Sequence, residues 1–260
     1  MAQVALITGA SAGLGEQFAH RFARDGHDVI LVARNEARLN ALAERLRLAK
    51  VRTFTLPFDL ADPTTPEKLF AAVKALGLEV DFLVNNAGFG SNGPFLELDV
   101  KREVEMVQVN CTALLELCHR FVTPMKARGR GRVLNIASTA GFQPGPYMAT
   151  YFATKAFVLS FSEALSHELA GTGVTVTASC PGATSTEFAK VAGNDKSRLF
   201  QRPGVAKAED VVHDAYEAMM QGDALTVHGW MNYLAFQSLR FSPRAVARSI
   251  AASLNKPPGA

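Results

Sequence analysis

The sequence alternates short apolar runs with longer segments in which apolar residues recur every three or four positions, and this alternation constrains the fold more than any other feature. Predicted strands cover residues 3–8, 28–33, 51–56, 80–85, 132–138, 174–180 and 224–228. Predicted helices cover residues 14–25, 66–76, 100–127, 151–170 and 208–220, with others after Asn35 and after Pro243. Strands that are apolar throughout are typical of a parallel sheet buried on both faces. With right-handed crossovers, the pattern predicts a doubly wound, Rossmann-type α/β fold of about seven parallel strands with helices on both faces.

Composition narrows the class of protein. The 260 residues, 48% hydrophobic and 20% charged, are typical of a globular protein and exclude disordered and fibrous chains. The net charge of +3 is small, so neither nucleic acid nor an anionic membrane is expected as the main partner. No apolar run reaches the ~18–20 residues of a membrane span, and no signal peptide is recognisable. The three cysteines fit neither a disulfide framework nor a zinc site, which favours a reduced, cytoplasmic setting without a metal.

No linker or internal repeat divides the chain, so a single domain is expected over residues 1–260, with 255–260 as a loose tail. The segment richest in proline and glycine, residues 141–146, lies between a predicted strand and a predicted helix. A loop in that position belongs to the carboxyl edge of the sheet, where ligands bind in such folds.

A glycine-rich turn joins the first predicted strand to the first predicted helix. Glycines let the backbone approach a phosphate closely, and the free N–H groups at a helix N-terminus favour negative charge. The turn therefore predicts a nucleotide-pyrophosphate site that consists of Thr8, Gly9, Ser11, Ala12, Gly13, Leu14 and Gly15. A tight strand–helix turn without a ligand has the same sequence pattern, so the turn alone leaves both interpretations open.

Residues 9–13 also match Gly-x-Ser-x-Gly, the turn that carries the nucleophile of serine hydrolases. Ser11 would then be the nucleophile, with an Asp and then a His downstream as its partners, for instance Asp81 and His213. The turn follows the first strand, however, so no earlier strand–helix loop can supply the second oxyanion donor, and no His-Gly-Gly-Gly segment occurs. A serine hydrolase is therefore the less favoured alternative.

The second predicted strand ends at Ala33 and Arg34, without the acidic residue that binds the ribose hydroxyl in NAD sites. The planar guanidinium of Arg34 is suited to a 2′-phosphate, which favours NADP. Arg34, like Arg38, is equally understandable as an ordinary surface arginine near a helix start, and both interpretations stay open at this point.

Three polar residues form a candidate catalytic group. Tyr151 and Lys155 lie four residues apart on one predicted helix and so project from one face. Ser138 ends the preceding predicted strand and would hydrogen-bond the substrate oxygen. Because a nearby ammonium favours the phenolate, we expect Lys155 to lower the pKa of Tyr151 and make it a general acid or base. A Tyr-x-x-x-Lys pair alone is commonly a solvated helix face, so the prediction depends on its occurrence together with Ser138 and the turn.

Together these segments resemble the classical short-chain dehydrogenase/reductase family over residues 4–188. The resemblance implies an NAD(P)-dependent oxidoreductase that transfers a hydride between a nicotinamide and a carbonyl or secondary alcohol. Its motifs, in the family's order and spacing, are the turn, Asp59, Asn85, Asn86, Ala87, Gly88, Asn110, Ser138, Tyr151 to Lys155, Pro181, Gly182 and Thr186.

The resemblance also implies residue roles. Tyr151 would be the acid/base, Asn110 would hold a water in a proton relay, and Lys155 would bind the nicotinamide ribose. Further cofactor contacts are implied for Asp59, Leu60, Asn86, Ala87, Gly88, Pro181, Gly182, Thr184 and Thr186. Arg34 resembles the NADP-preferring arrangement, so NADP(H) is expected; Ala12 stands where many such members carry a basic residue, so NAD(H) stays open. A homodimer or homotetramer, packed through the helices at 100–127 and 151–170, is implied as well.

The substrate pocket is predicted to be mostly apolar, and a lipophilic ketone, aldehyde or 3-oxoacyl group is expected. Its candidate walls are Phe89, Ser138, Phe142, Gln143, Pro144, Tyr147, Met148, Tyr151 and Phe188. Residues 187–204 are predicted to form a lid. The second function class is a non-catalytic NADP-binding sensor, and the presence of Ser138, Tyr151 and Lys155 argues against it.

Overall fold

Seven strands form the central sheet of the part of the chain that the computed structural model describes, which is residues 2–194, 197, 205–239 and 241–257. The strands are β1 Val4–Thr8, β2 Asp28–Ala33, β3 Thr53–Pro57, β4 Phe82–Asn85, β5 Gly131–Ile136, β6 Val174–Cys180 and β9 Leu225–Val227. All neighbours are parallel, in the order β3-β2-β1-β4-β5-β6-β9. Two short strands, β7 Thr184–Ser185 and β8 Ala206–Lys207, form a separate parallel pair.

Most helices connect successive strands, and the last two follow the last strand of the sheet. Their bounds are α1 Gly13–Arg24, α2 Glu36–Leu46, α3 Thr65–Ala75, α4 Val100–Val107, α5 Leu114–Arg128, α6 Ala149–Glu168, α7 Phe188–Val191, α8 Ala208–Gln221, α9 Trp230–Leu239 and α10 Arg244–Asn255. Short 3₁₀ turns cover Arg47–Ala49, Phe95–Glu97 and Thr139–Phe142, and a π-helical turn covers Gln108–Ala113.

Two apolar cores lie on the two faces of the sheet, because successive side chains of a strand point to opposite faces. In β1, Val4 and Leu6 pack in the core that contains residues of α3, α5 and α6. Ala5 and Ile7 of the same strand pack in the core that contains residues of α1, α2 and α8. The predicted parallel sheet with helices on both faces is confirmed.

The strand order reverses beside β1, whose neighbours are β2 on one side and β4 on the other. The chain leaves β1 for α1 and leaves β4 for α4, so a crevice opens between the carboxyl ends of these two strands. Ligands of open α/β sheets bind at such a switch point. The topology therefore brings the glycine-rich turn and the segment after Asn85 to the same edge.

Three elements differ from the sequence-based expectation. The helix predicted over 100–127 is interrupted by the π-helical turn at Gln108–Ala113. Helix α9 was not predicted, and its seven apolar residues of ten carry no clear period. Asn255 is buried at the end of α10 and is not part of a loose tail.

Two predictions fall partly outside the described residues: 195, 196 and 198–204 of the predicted lid, and 258–260 of the predicted tail. Within the described residues, no helix combines the length and the apolar character needed to cross a membrane.

Candidate active site

A cleft of about 350 Å³ lies at the carboxyl edge of the sheet, between the turn after β1 and the start of α6. One side is lined by Gly9, Ala12, Gly13 and Leu14, and the other by Ser138, Tyr151 and Lys155. Further lining comes from the predicted residues Asn86, Ala87, Gly88, Met148, Pro181, Gly182, Thr184, Thr186 and Phe188. The structure thus brings the predicted phosphate-binding turn and the predicted catalytic group to one cavity.

Glycine is required at several positions of the turn, because neighbouring atoms leave little or no room there for a Cβ. Gly9 and Gly13 have φ of +66° and +58°, a left-handed conformation that glycine adopts at little cost. A Cβ on Gly9 would lie 2.9 Å from Asn86 Nδ2, and a Cβ on Gly13 would lie 3.3 Å from the Cβ of Thr186. A Cβ on Gly15 would collide with the carbonyl oxygen of Gly9. Larger residues would therefore deform the turn or fill the cleft beside it.

Thr8 is buried and positions the turn without lining the cleft. Its Oγ1 accepts hydrogen bonds from the backbone N–H groups of Asn86 and Ala87, both at 3.0 Å. The side-chain amide of Asn86 donates back to the Thr8 carbonyl at 2.9 Å. These bonds fasten the end of β1 to the end of β4, so the segment after Asn85 and the turn form one rigid wall.

Helix α1 begins without a side-chain cap. Ala12 precedes it in extended backbone and makes no capping hydrogen bond. The first N–H groups of a helix have no intrahelical acceptor, and they carry the positive end of the helix dipole. Since Ala12, Gly13 and Leu14 line the cleft, these groups are available to an anion there.

Ser138 is held by two backbone segments that line the cleft. Its Oγ accepts the N–H of Ala140 at 3.1 Å and donates to the carbonyl of Pro181 at 3.3 Å. The first bond caps the 3₁₀ turn at Thr139–Phe142, which carries the chain from β5 toward α6. The hydroxyl is therefore fixed at the strand end, where the sequence analysis placed it.

The expected lowering of the Tyr151 pKa does not occur in this structure. Burial of the phenol raises its pKa to about 12, and a hydrogen bond with Ser138 acts in the opposite direction with a smaller effect. The ammonium of Lys155 lies 5.8 Å from the centre of the Tyr151 ring and donates to the carbonyl of Ile136 at 2.7 Å. Desolvation of the phenolate therefore outweighs the hydrogen bond with Ser138 and sets the direction of the pKa shift.

Lys155 is itself buried. Burial lowers the pKa of its ammonium to about 8, because removal of water penalises the charged form. Its hydrogen bond to Ile136 holds the ammonium at the end of β5. The side chain thus enters the cleft from α6 and is anchored to the sheet.

Asn110 lies in the π-helical turn and contacts the loop after β4, not the cleft. Its side-chain amide donates to the carbonyl of Phe89 at 2.9 Å and to Thr154 Oγ1 at 3.1 Å. Its Oδ1 accepts the N–H of Phe89 at 3.1 Å. Asn110 therefore satisfies the backbone of the loop that carries Gly88 and connects it to α6.

The predicted adenine and phosphate contacts lie outside the lining of the cleft. Arg34 is 75% exposed, and its Nη1 is 3.9 Å from Asp59 Oδ2. Leu60 is buried in the core with α3 and α5, so its side chain does not face a ligand. Arg38 pairs with Glu187 across the turn, with Nη1 and Oε2 2.9 Å apart.

The predicted substrate walls divide between two cavities. Met148 and Phe188 line the cleft, and the Phe188 ring lies 5.2 Å from the Tyr151 ring. Gln143 lines both cavities, whereas Phe142 and Pro144 line only a second cavity toward α10, where Phe142 packs on Phe236.

Two further aromatic residues are absent from the lining of the cleft. Phe89 packs against the buried cluster that contains Tyr151. Tyr147 has an unusual left-handed backbone, with φ of +66°, and its carbonyl accepts the N–H of Gly93 at 2.8 Å. Tyr147 therefore ties the loop before α6 to the loop after β4.

The hydrolase alternative is contradicted by the fold. Ser11 follows the carboxyl end of β1, whereas Asp81 precedes β4 and accepts the N–H of Val4 at the amino end of β1. A strand of five residues separates these edges, which is ~17 Å at ~3.3 Å per residue. His213 contacts Arg21, on α1. The three residues cannot act together.

The C-terminal helices also line the cleft, which the sequence analysis did not predict. Their lining residues are Asn232, Ala251, Leu254 and Asn255, and Asn194 joins them. Ala247, Ala251 and Asn255 recur every four residues and form the buried face of α10. This four-residue period could have predicted the buried face of α10 from the sequence. No sequence pattern pointed to Asn232.

Comparison with known proteins places the chain in a family. A family model for short chain dehydrogenase matches residues 3–197. The chain is 39% identical to a very-long-chain 3-oxoacyl-CoA reductase of Neurospora crassa over 66% of this chain and 53% of that protein, so it spans about half the length of this relative. It is 39% identical to a putative ketoacyl reductase of Streptomyces coelicolor over 72% of each protein.

Solved structures agree. A short-chain dehydrogenase from Sphingobium yanoikuyae in complex with NADPH is 35% identical and superposes with a TM-score of 0.82 over 92% of this chain and 93% of that one. A short chain dehydrogenase/reductase from Burkholderia phymatum in complex with NAD is 27% identical, with a TM-score of 0.81 over 91% and 92%. The chain belongs to the short-chain dehydrogenase family, oxidoreductases with a nucleotide-binding Rossmann fold.

Proposed function

We propose that the protein transfers a hydride between NADP(H) and the carbonyl or secondary alcohol of a lipophilic small molecule, with Tyr151 as the acid/base. The observation that carries this proposal is the single cleft lined by the glycine turn on one side and by Ser138, Tyr151 and Lys155 on the other. A nucleotide and a reacting oxygen would thereby be held side by side.

The residues present fit a dinucleotide. The uncapped start of α1 and the glycines beside it form a cradle that a Cβ on Gly13 would narrow. The cofactor would be held by Gly9, Ser11, Ala12, Gly13, Leu14, Asn86, Ala87, Gly88, Lys155, Pro181, Gly182, Thr184 and Thr186. When bound, the nicotinamide supplies or accepts the hydride at its C4 position.

The proton that the carbonyl oxygen receives during reduction would come from a side chain of the protein. Because burial raises the pKa of Tyr151 to about 12, its hydroxyl holds its proton at neutral pH and can donate it to a carbonyl oxygen during reduction. The Ser138 hydroxyl, fixed at the strand end, would hydrogen-bond the same oxygen. Asn110 supports the loop that bears Gly88 and would position a water for proton exchange with Lys155.

The preference for NADP(H) is assigned to Arg34. Its guanidinium is exposed and is separated from Asp59 by 3.9 Å, a weak surface pair that leaves it free to bind a 2′-phosphate. Asp59 and the backbone of Leu60 would lie under the adenine. NAD(H) is the alternative cofactor, because Ala12 provides no second positive charge.

The substrate is proposed to be lipophilic because Met148, Phe152, Phe188, Val191 and Leu254 line the cleft near Tyr151. The names of the relatives, two of them 3-oxoacyl or ketoacyl reductases, support a 3-oxoacyl group. The segment 187–204 would act as the lid, and α7 is its described beginning.

We also propose that the protein forms a homodimer or homotetramer. Val100, Val104 and Val107 on α4, Leu115 on α5 and Phe157 on α6 are large apolar side chains left exposed. The same helices were expected to pack across subunits. A reduced, cytoplasmic setting is supported by the three cysteines, which are buried and unpaired.

The test is consumption of NADPH, with NADH in parallel, against a panel of ketones, aldehydes and 3-oxoacyl thioesters. We expect turnover with lipophilic members of the panel and a preference for NADPH. Arg34→Ala should lower that preference ~10-fold, the effect of ~1.4 kcal/mol of lost phosphate binding. Binding of NADPH without consumption by any member would favour the non-catalytic sensor.

A further inference from the structure

A buried amide oxygen in the wall of the cleft has no hydrogen-bond donor. Asn194 lines the cleft and is 2% exposed. Its Nδ2 donates to the sulfur of Met148 at 3.3 Å, and its Oδ1 has no partner in the part of the chain that the structure describes. Because a thioether is a weak acceptor, this contact leaves the amide weakly held.

The neighbours of Asn194 place it on the substrate side of the cleft. Met148 belongs to the buried cluster that contains Tyr151. The backbone N–H of Asn194 donates to the carbonyl of Ala189 at 2.9 Å, in the helix α7 that begins at Phe188. The Phe188 ring in turn lies 5.2 Å from the Tyr151 ring. The amide therefore lies in the part of the wall that surrounds the proposed acid/base.

Asn255, at the end of α10, supplies a second amide to the same part of the wall. It lines the cleft and is 1% exposed. Its Nδ2 donates to the carbonyl of Pro146 at 3.4 Å, and no described residue donates a hydrogen bond to its Oδ1. Pro146 precedes Met148 by two residues. Asn194 and Asn255 thus contact one short loop, residues 146–148, and each has an amide oxygen without a donor.

The surrounding wall cannot satisfy these two oxygens. Its nearby side chains have no hydrogen-bond donor and are those of Met148, Phe152, Phe188, Val191 and Leu254. A buried carbonyl oxygen without a donor is unfavourable, and folded proteins contain few of them. A ligand that brings an O–H or N–H group to this place would remove the cost. A site with buried polar groups also rejects an analogue that lacks the complementary group.

The charges of the lining favour a neutral donor. Lys155 and Glu187 are the only charged residues among the lining residues that the structure describes. The carboxylate of Glu187 is already paired with Arg38, at 2.9 Å. An ammonium group would therefore be buried without a free carboxylate, which costs far more than the burial of a hydroxyl.

We propose that the amide oxygens of Asn194 and Asn255 accept hydrogen bonds from a hydroxyl group of the substrate and thereby determine its specificity. The inference rests on the proposed function and narrows its substrate class to lipophilic carbonyl compounds that carry a hydroxyl away from the reacting carbonyl. The carbonyl would lie at Tyr151, and the hydroxyl would lie beside the loop 146–148. A compound of the same size without the hydroxyl would leave both oxygens unpaired.

Binding in the absence of cofactor tests this inference without turnover. Methyl ketones of increasing chain length, and the ω-hydroxy derivative of each, are titrated into the full-length protein in a calorimeter. A hydroxyl that finds no acceptor in an apolar cleft weakens binding, so most of the derivatives should bind less tightly than their parent ketones. At the chain length that lets the hydroxyl reach the asparagines, the derivative should bind ~10-fold more tightly than its parent.

The variant Asn194→Leu keeps the approximate shape of the side chain and removes its oxygen. We expect it to lose the preference for the hydroxy derivative while it binds the parent ketone at least as tightly as the unchanged protein does. Asn255→Leu should reduce the same preference. The matched control is Met148→Leu, a swap of similar volume that removes the sulfur contacted by Asn194 but keeps both amide oxygens. It should retain the preference, whereas a purely structural role of Asn194 would make Met148→Leu and Asn194→Leu behave alike.

Two results would overturn the inference. One is a hydroxyl that weakens binding at every chain length, and the other is an equal preference in the unchanged protein and in Asn194→Leu. Ketones that bind without any preference for the hydroxyl would leave the proposed oxidoreductase activity standing. A protein that binds none of the ketones would contradict both the inference and the lipophilic substrate class on which it rests.

Discussion

Tyr151 shows how burial decides the state of a catalytic side chain. The phenol is buried beside Phe188, and its pKa is raised to about 12. At neutral pH the residue therefore holds a proton ready for an oxygen that gains negative charge. This state suits the reduction of a carbonyl.

Replacing Tyr151 by phenylalanine removes this proton and little else, since the ring keeps its packing. We expect the rate of carbonyl reduction to fall ~10²–10⁴-fold, the usual contribution of a positioned acid. The dissociation constant of NADPH should stay nearly unchanged, because the turn and Lys155 remain. Tyr233→Phe, at an exposed tyrosine, is the control. Turnover retained in the Tyr151 variant would refute the assignment.

Residue spacing was enough to place Ser138, Tyr151 and Lys155 around one cleft. A helix puts positions four apart on one face, and a parallel sheet puts its strand ends at one edge. The direction of the Tyr151 pKa shift was predicted wrongly, because it depends on how deeply packing buries the phenol. Spacing along the chain carries no information about that depth.

Among the structural elements, the glycine turn provides a test with an internal control. Gly13 and Gly26 both have positive φ, at +58° and +83°, so alanine at either position costs ~1 kcal/mol of backbone strain. A Cβ on Gly13 meets Thr186 across the cleft, whereas a Cβ on Gly26 meets nothing within 4 Å. Gly13→Ala should therefore weaken NADPH binding at least ~10-fold, and Gly26→Ala should not. Equal dissociation constants, measured by titration calorimetry, would mean that Gly13 does not line the cofactor site.

The elements missed from the sequence share a physical cause. The π-helical turn at Gln108–Ala113 differs from an α-helix in the register of a few hydrogen bonds, and the apolar pattern runs through it unchanged. Helix α9 has apolar residues on several faces, so it lacks the period by which helices are recognised. The seven sheet strands, by contrast, were predicted within a few residues because each is a short apolar run, mostly buried in the five inner strands and partly buried in the edge strands β3 and β9.

At the scale of the whole molecule, Lys155 makes folding stability depend on pH. Its pKa is lowered to about 8 in the folded protein from 10.5. Below pH 8 both states hold the proton, and the folded state bears the full penalty for a buried ammonium. Between pH 8 and 10.5 only the unfolded state binds it, so the contribution of Lys155 to stability improves as pH rises.

The variant Lys155→Met lacks this titration. We expect its free energy of unfolding, relative to that of the unchanged protein, to fall by about 2 kcal/mol between about pH 7.5 and 10. Urea unfolding at both pH values measures the difference. Loss of the bond to Ile136 adds an offset that does not vary with pH, and Tyr151 titrates alike in both proteins. A difference that stays constant with pH would show that Lys155 keeps an ordinary pKa.

The net charge of the whole chain conceals an uneven distribution of charged residues along the sequence. A net charge of +3 gave no reason to expect a membrane partner. The sequence already contained the relevant asymmetry, since no acidic residue follows Asp223. In the fold, Arg244, Arg248 and Lys256 of this segment are exposed.

Asn255 joins the end of α10 to both loops at the mouth of the cleft. Its carbonyl accepts a hydrogen bond from Asn92 at 2.7 Å, and its side-chain amide donates to the carbonyl of Pro146 at 3.4 Å. Helix α10 and these two loops are therefore mechanically connected, so occupancy of the cleft and packing of α10 against the loops form one thermodynamic cycle. If an occupied cleft strengthens the packing of α10 by some factor, the packed helix must strengthen occupancy of the cleft by the same factor.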